Sequence, residues 1–226
     1  IEADLKRGVP DWQQQLDAWA SEEAAKLVEW QTVVPTDIPY SGEKFRVLED
    51  GSIVSESYAP TKANNTYRLT TTAEKITAFR LDVLTHPQLP RNGPGRSIYG
   101  TGALTEFEVS IAPADQPDKA RTIKLVEAWA DVNPPESHLP DVYRIKESDK
   151  DDRITGAVDY AIDGDHKTAW STDIGPGRRN QDRHIVFIPE EPITKEGEVV
   201  LSFTLRQLHG GWNSDDNQNY LLGRYR

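Results

Sequence analysis

Cysteine is absent from the 226 residues. Its absence excludes disulfides, thiolate zinc sites, a cysteine nucleophile and covalent haem attachment within this chain. Long hydrophobic runs are absent too. No stretch approaches the about 18 apolar residues of a membrane-spanning helix, so no membrane insertion is expected. Residues 1–10 alternate charged and apolar character, unlike a signal peptide, and the sequence is read as a mature or excised segment. Positive charge is scarce: 26 Lys and Arg stand against 37 Asp and Glu, a formal net charge of −11. Such a surface repels phosphate backbones and argues against nucleic acid as a partner. The local basic residues Arg178, Arg179 and Arg183 are diluted by Asp182. The five histidines, His86, His138, His166, His184 and His209, form neither HxH nor HExxH, and no GxSxG elbow is present. Gly93 to Arg96 reads as a turn, since it lacks the GK[ST] ending of a phosphate loop. No local pattern pairs two carboxylates for glycoside hydrolysis, and no repeat of fixed period is visible. No catalytic residue is assigned, and the chain is read as a non-enzyme.

One helix stands out over residues 11–30. Trp12, Leu16, Trp19, Leu27 and Trp30 recur at helical spacing, with Pro10 at the start and Pro35 closing the region. The stripe serves either as a face that docks on a neighbouring core or as a sugar platform. Past Pro39 the texture changes to short apolar or alternating runs separated by Gly, Pro, Asn and Asp. Strands are predicted at 45–48, 52–56, 66–70, 76–84, 104–111, 123–130, 184–188, 199–208 and from 222 onward. Thr77, Phe79, Leu81 and Val83 are the core-facing set of the fourth. Loops are predicted at 86–102 and 133–152, the latter ending in an acidic run at 147–152, with a polar link at 115–121. Many short strands with turn signals between them predict an all-β, jelly-roll-like β-sandwich over 41–226, with an N-terminal helical segment, 1–40, packed on it.

The segment 157–172, AVDYAIDGDHKTAWST, carries the most chemistry. Asp163, Asp165 and Thr168 crowd one tight turn around Gly164. Calcium takes six to eight oxygens at about 2.3–2.6 Å, from carboxylates, carbonyls and hydroxyls. The same residues also close a turn by hydrogen bonds alone. The spacing is not that of an EF-hand.

The motif AIDGDxxTAW resembles the opening of discoidin or coagulation-factor C-type domains and related carbohydrate-binding modules, which share a galactose-binding-like fold. The resemblance implies a structural calcium ligated by Asp163, Asp165 and Thr168, with Trp170 packed in the sandwich. It also implies a glutamate ligand from a closing strand. The segment ALTEFEVSI at 103–111 is similar to that strand, so Glu106 is the corresponding residue. Glu106 precedes the turn instead of following it, which implies a circularly permuted order of strands. A broader resemblance covers 50–226. DGSI (50–53), ITAFRLDVL (76–84), GPGRS (93–97), LTEFEVS and the final LLGRYR occur in that order. Together they are similar to a domain within large haem-associated proteins of planctomycetes and verrucomicrobia, which carry a cytochrome-c-like segment and flanking domains of unknown function. That likeness implies an exported bacterial protein, periplasmic or extracellular, linked to polysaccharide use.

Sugar binding needs flat aromatic faces and planar polar side chains. The loop HGGWNSDDNQNY at 209–220 offers His209, Trp212, Asn213, Asp215, Asn217 and Tyr220; Trp212 either faces a sugar or folds inward to cap the sandwich. A second loop offers Asn92, Arg96 and Tyr99. The expected function is a non-catalytic carbohydrate-binding module with a polysaccharide or glycan as partner. The alternative is a structural or protein-interaction domain of a larger haem-associated protein, with no sugar ligand.

Overall fold

The computed structural model describes residues 8, 11–25, 29–38, 43–143, 152–211 and 218–226. The chain divides into two compact units, Ile1–Thr32 and Val33–Arg226.

The first unit contains helix α1, Trp12–Ala25. Asp11 starts it: its carbonyl and its carboxylate accept from Gln15 N and Gln15 Nε2, both at 3.0 Å. Leu16 and Trp19 stand exposed. The helix ends short of the expected residue 30, because residues 29–35 lack regular structure. There the β-branched Thr32, Val33 and Val34 precede Pro35, which disfavours helical backbone at the residue before it. Leu27 lies outside the described residues. No helix among the described residues is long and apolar enough to cross a membrane.

The second unit is all-β and almost wholly antiparallel. Its larger sheet has six strands in the order β1 (Lys44–Val47), β2 (Ile53–Glu56), β16 (Arg224–Tyr225), β5 (Phe79–Val83), β13 (Arg183–Pro189) and β9 (Leu125–Ala130). A four-stranded sheet runs β3 (Ala63–Thr71), β15 (Val199–Gln207), β7 (Glu106–Pro113) and β8 (Arg121–Ile123). A smaller sheet joins β10 (Ser137–His138), β11 (Ile154–Gly156), β12 (Thr168–Ser171) and β6 (Ala103–Leu104). In it β11 and β12 are parallel. A two-stranded ribbon pairs β14 (Ile193–Thr194) with β4 (Lys75–Ile76).

Period-two alternation explains the layers. Phe79, Leu81 and Val83 on β5, with Ile185 and Phe187 on β13, are buried in one cluster. That cluster also holds Tyr67 and Leu69 of β3, Phe107, Val109 and Ile111 of β7, and Leu201 and Leu205 of β15. Two sheets thus share one core, which is the definition of a β-sandwich. Each buried Phe, Leu or Ile contributes about 1.5–3 kcal/mol by leaving water.

Four expectations need correction. The run 104–111 is two strands in different sheets, β6 and β7, broken at Thr105. The run 76–84 is two strands rather than one: β4 and β5 belong to different sheets, and Thr77, expected in the core, is exposed. The run 123–130 is likewise two strands. It changes sheet at Lys124, whose carbonyl accepts from Glu190 N at 2.9 Å instead of from a strand partner. Strands β11 and β12 were not foreseen, since three or four residues are too few to show a period.

The scattered motifs meet in the fold. β16, from LLGRYR, lies between β2, from DGSI, and β5, from the 76–84 run. Asp50 accepts from Ser52 N (3.0 Å) and Ser52 Oγ (2.6 Å) and pairs with Arg224 Nη2 at 2.5 Å. The Ser52 hydroxyl, with help from the Arg224 charge, holds the Asp50 carboxyl down at about 2. The GPGRS stretch runs beside the same strand: Gly223 N donates to Pro94 O at 2.8 Å and Arg96 N to Leu221 O at 2.8 Å.

Candidate functional site

Two places on the sandwich gather chemistry. The first is the turn between β11 and β12. Gly164 takes the left-handed conformation (φ 78) and reverses the chain there. Asp165 N donates to Asp163 Oδ1 at 2.8 Å and Lys167 N to Asp165 Oδ1 at 2.9 Å, so each aspartate also caps its own turn. Thr168 Oγ1 lies 3.0 and 2.8 Å from the two Asp163 carboxylate oxygens and 2.8 Å from the Asp165 carbonyl. One hydroxyl proton cannot serve three acceptors, so the cluster holds more lone pairs than protons.

Glu106, the first residue of β7, faces this turn. It is 5% exposed, and among the described residues its Oε1 has no hydrogen-bond partner. The Gly164 backbone N–H and the Asp163 carboxyl both act electrostatically on the Glu106 carboxyl. Burial, then the Asp163 charge, pushes the Glu106 carboxyl up to about 7, although the Gly164 N–H pulls the other way. Two adjoining carboxylates, one buried with an oxygen unsatisfied, want either a proton or a cation between them. Among the described residues no three or more His, Asp or Glu side chains form a metal-ligand group. The donor set here is two carboxylates, a hydroxyl and a carbonyl. The 2.8–3.0 Å spacings around Thr168 Oγ1 are hydrogen-bond distances, while the oxygen types present are those that calcium takes. Asp165 contributes its carbonyl to the cluster, while its carboxylate caps Lys167 N. Trp170 follows on β12, fully buried, its Nε1 donating to Val132 O at 3.0 Å.

The second place is a cleft of about 620 Å³ lined by Ser55, Glu56, Ser57, Gln88, Pro90, Arg96 and their neighbours. Arg96 donates to Ser55 Oγ at 2.8 Å and to Ser57 O at 2.5 Å. Ser55 in turn donates to the buried Glu43 at 2.6 Å, and Glu43 also accepts from Asn65 Nδ2 at 3.1 Å. A buried carboxylate thus orients the guanidinium through a serine. Arg46 bridges the rim, donating to Glu56 Oε1 at 2.6 Å and to Gln88 Oε1 at 2.9 Å. The lining alternates planar polar groups with the apolar surfaces of Ala59, Pro90 and Ile98.

The remaining predicted ligand residues are dispersed. His209 is fully enclosed: Thr105 Oγ1 meets Nδ1 at 3.0 Å, and Nε2 lies 3.1 and 3.2 Å from the carbonyls of Ile154 and Lys167. Two carbonyls can only accept, so Nε2 carries the proton and the ring pins β11 to the end of the Asp163 turn. Tyr220 is buried too, stacked on Tyr143 with centroids 4.3 Å apart, its hydroxyl 2.7 Å from Ser171 Oγ. Tyr99 is half-buried beneath Arg179, whose Cζ lies 4.9 Å from the ring centre. Trp212, Asn213, Asp215 and Asn217 lie outside the described residues, as do residues 147–151 of the acidic run. The structure therefore brings Asp163, Asp165, Thr168 and Glu106 together, and places Arg96 in the cleft apart from them. Ser55, Glu56, Ser57 and Gln88 were missed by sequence reasoning. They come from two distant segments and share no local spacing.

Compared with known proteins, the chain matches no family model, no curated protein and no solved structure. The class that stands is an all-β sandwich with an oxygen-rich turn and a polar cleft.

Proposed function

We propose that this chain is a non-catalytic carbohydrate-binding module of galactose-binding-like, jelly-roll type, stabilised by a structural calcium ion. The observation that carries the reading is the cleft, where Glu56, Gln88 and Arg96 stand beside Ala59, Pro90 and Ile98. Planar polar groups next to apolar surface suit the hydroxyls and C–H faces of a pyranose. The ion would be held by Asp163, Glu106, Thr168 Oγ1 and the Asp165 carbonyl. It would supply charge balance to two adjoining carboxylates and no chemistry. A glycan array with the intact chain tests the sugar, with Gln88→Ala and Glu56→Ala as cleft variants. Retention of a glycan that weakens about tenfold in the variants, at unchanged melting temperature, is expected. Retention indifferent to both variants would remove the cleft from the account.

A second reading, a structural domain within a larger haem-associated protein, is favoured by β9. On this edge strand Trp129 and Val126 stand 63% and 49% exposed. An exposed tryptophan on an unpaired edge suits contact with a neighbouring protein domain.

A further inference from the structure

We propose that the ligand of the cleft is an anionic polysaccharide, whose carboxylate or sulfate groups lie on a cationic shelf formed by Arg91, Arg178 and Arg179. The proposal rests on the glycan reading of the cleft and names its ligand class. Pro90 and Ile98 form one wall of the cleft. The residues that follow them, Arg91 and Tyr99, belong to the shelf. Arg91 Nε donates to Ile98 O at 2.9 Å, which fixes the arginine against that wall. Arg179 lies over the Tyr99 ring, and its Nε donates to Asp173 Oδ1 at 2.6 Å. The loop of residues 173–180 is pressed onto the loop of residues 90–100: a Cβ on either Gly93 or Gly100 would lie 2.6 Å from Asn180 Oδ1.

The chain carries a net charge of −11, yet Arg91, Arg178 and Arg179 all lie on these two touching loops; Asp173 there pairs with Arg179, and the cleft's own Glu56 pairs with Arg46 at 2.6 Å. Asp182, which in the sequence dilutes this basic run, is engaged by Thr85. Its Oδ1 accepts from Thr85 N at 2.7 Å and Thr85 Oγ1 at 2.8 Å. Arg183 points inward, 5% exposed, donating to Arg178 O at 2.5 Å. Arg178 and Arg91 themselves are exposed. A stacked, ion-paired guanidinium is held in one orientation, and it presents a planar donor fork to carboxylate or sulfate oxygens.

Backbone strain marks the same place. Among the described residues the non-glycine positions with positive φ are Ser57, Arg91, Asn92 and Asn180. Ser57 lines the cleft, Arg91 belongs to the shelf, and Asn92 and Asn180 are the chain neighbours of Arg91 and Arg179. Left-handed backbone at such residues is strained and collects where a ligand is clamped.

The test is affinity electrophoresis of the intact chain in gels containing sodium polygalacturonate, dextran sulfate or neutral dextran. The variants are the double substitution Arg91→Asn with Arg178→Gln, and separately Gln88→Ala; asparagine tolerates the left-handed backbone at position 91. Retention at least tenfold stronger on one acidic polymer than on dextran, falling with added salt and about tenfold weaker in the double variant, is expected. Melting temperatures confirm folding. The polymer retained tells carboxylate from sulfate ester. Acidic retention that the double variant leaves unchanged overturns the shelf but spares the cleft. Retention on dextran equal to that on both acidic polymers does the same. Acidic retention that Gln88→Ala leaves unchanged overturns the cleft alone, and no retention on any gel overturns both.

Discussion

Phe107 of β7 and Phe187 of β13 stack face to face, ring centroids 4.2 Å apart and planes 10° from parallel. One ring belongs to each main sheet, so the pair joins the layers near the centre of the core. Phe187→Ala is expected to cost about 3–5 kcal/mol through lost transfer energy and the cavity left behind. Phe187→Leu should cost far less. Denaturant midpoints measure both; an alanine loss below about 1 kcal/mol would mean that the layers are not held together there.

Glu106 should make the chelated protein less stable as pH rises. Its folded-state pKa, about 7, lies above the ordinary value of 4.5. The folded chain therefore keeps a proton that the unfolded chain releases. The stabilisation is complete below pH 4.5 and is lost as pH climbs through 7. Melting curves in EGTA from pH 4.5 to 8 should show this decline, and Glu106→Gln should flatten it.

Calcium should replace that missing proton at neutral pH. A hundredfold excess over its dissociation constant stabilises by about 2.7 kcal/mol, which in a chain of this length raises the melting temperature by about 5 °C or more. Asp163→Asn should abolish the increment. A melting temperature indifferent to calcium and chelator alike would remove the ion from the account.

His209 should prove structural. His209→Ala removes a buried ring together with its hydrogen bonds to Thr105 Oγ1 and the Ile154 carbonyl, at a cost of about 2–5 kcal/mol. Glycan affinity of the folded fraction should stay within about twofold of the parent. A large loss of affinity with unchanged melting would instead return this residue to the binding surface.

Gly95 backs the cleft arginine. A Cβ there would lie 2.1 Å from the Thr101 carbonyl carbon and oxygen, both backbone atoms. Gly95→Ala should therefore displace Arg96 and yield little folded protein. Ala substitution at Gly175, where nothing lies within 4 Å, meets only its positive φ of 91 and should cost about 1–2 kcal/mol.

Much of this was legible in the sequence, for identifiable reasons. Alternation over five or more residues exposed β5, β7, β13 and β15, because period two is unmistakable at that length. The turn Asp163 to Thr168 was legible because its residues are neighbours, each with a local hydrogen-bonding role. Glu106 was reached only through a resemblance; its carboxyl is buried and feels the Asp163 charge. The cleft was legible only in Arg96, named from its loop: Ser55 and Gln88 share no spacing with it, and tertiary folding alone brings the three together. His209 misled because a histidine beside two glycines looks exposed, whereas Arg153 Nη1 grips the carbonyls of Leu208 (2.9 Å) and Gly210 (2.8 Å) and draws the segment inward.

The place of β16 inside the larger sheet has a consequence for biogenesis. Its Arg224 bonds Ser52, 172 positions earlier, at 2.8 Å, and Tyr225 aligns with both Ile53 and Val83. On a ribosome the amino-proximal hairpin of β1 and β2 must wait with an open flank until Arg224 and Tyr225 emerge. Such distant closure slows folding, and an unfilled slot between two strands invites a stranger's strand. A nascent chain stalled before residue 224 would be the form most in need of a chaperone.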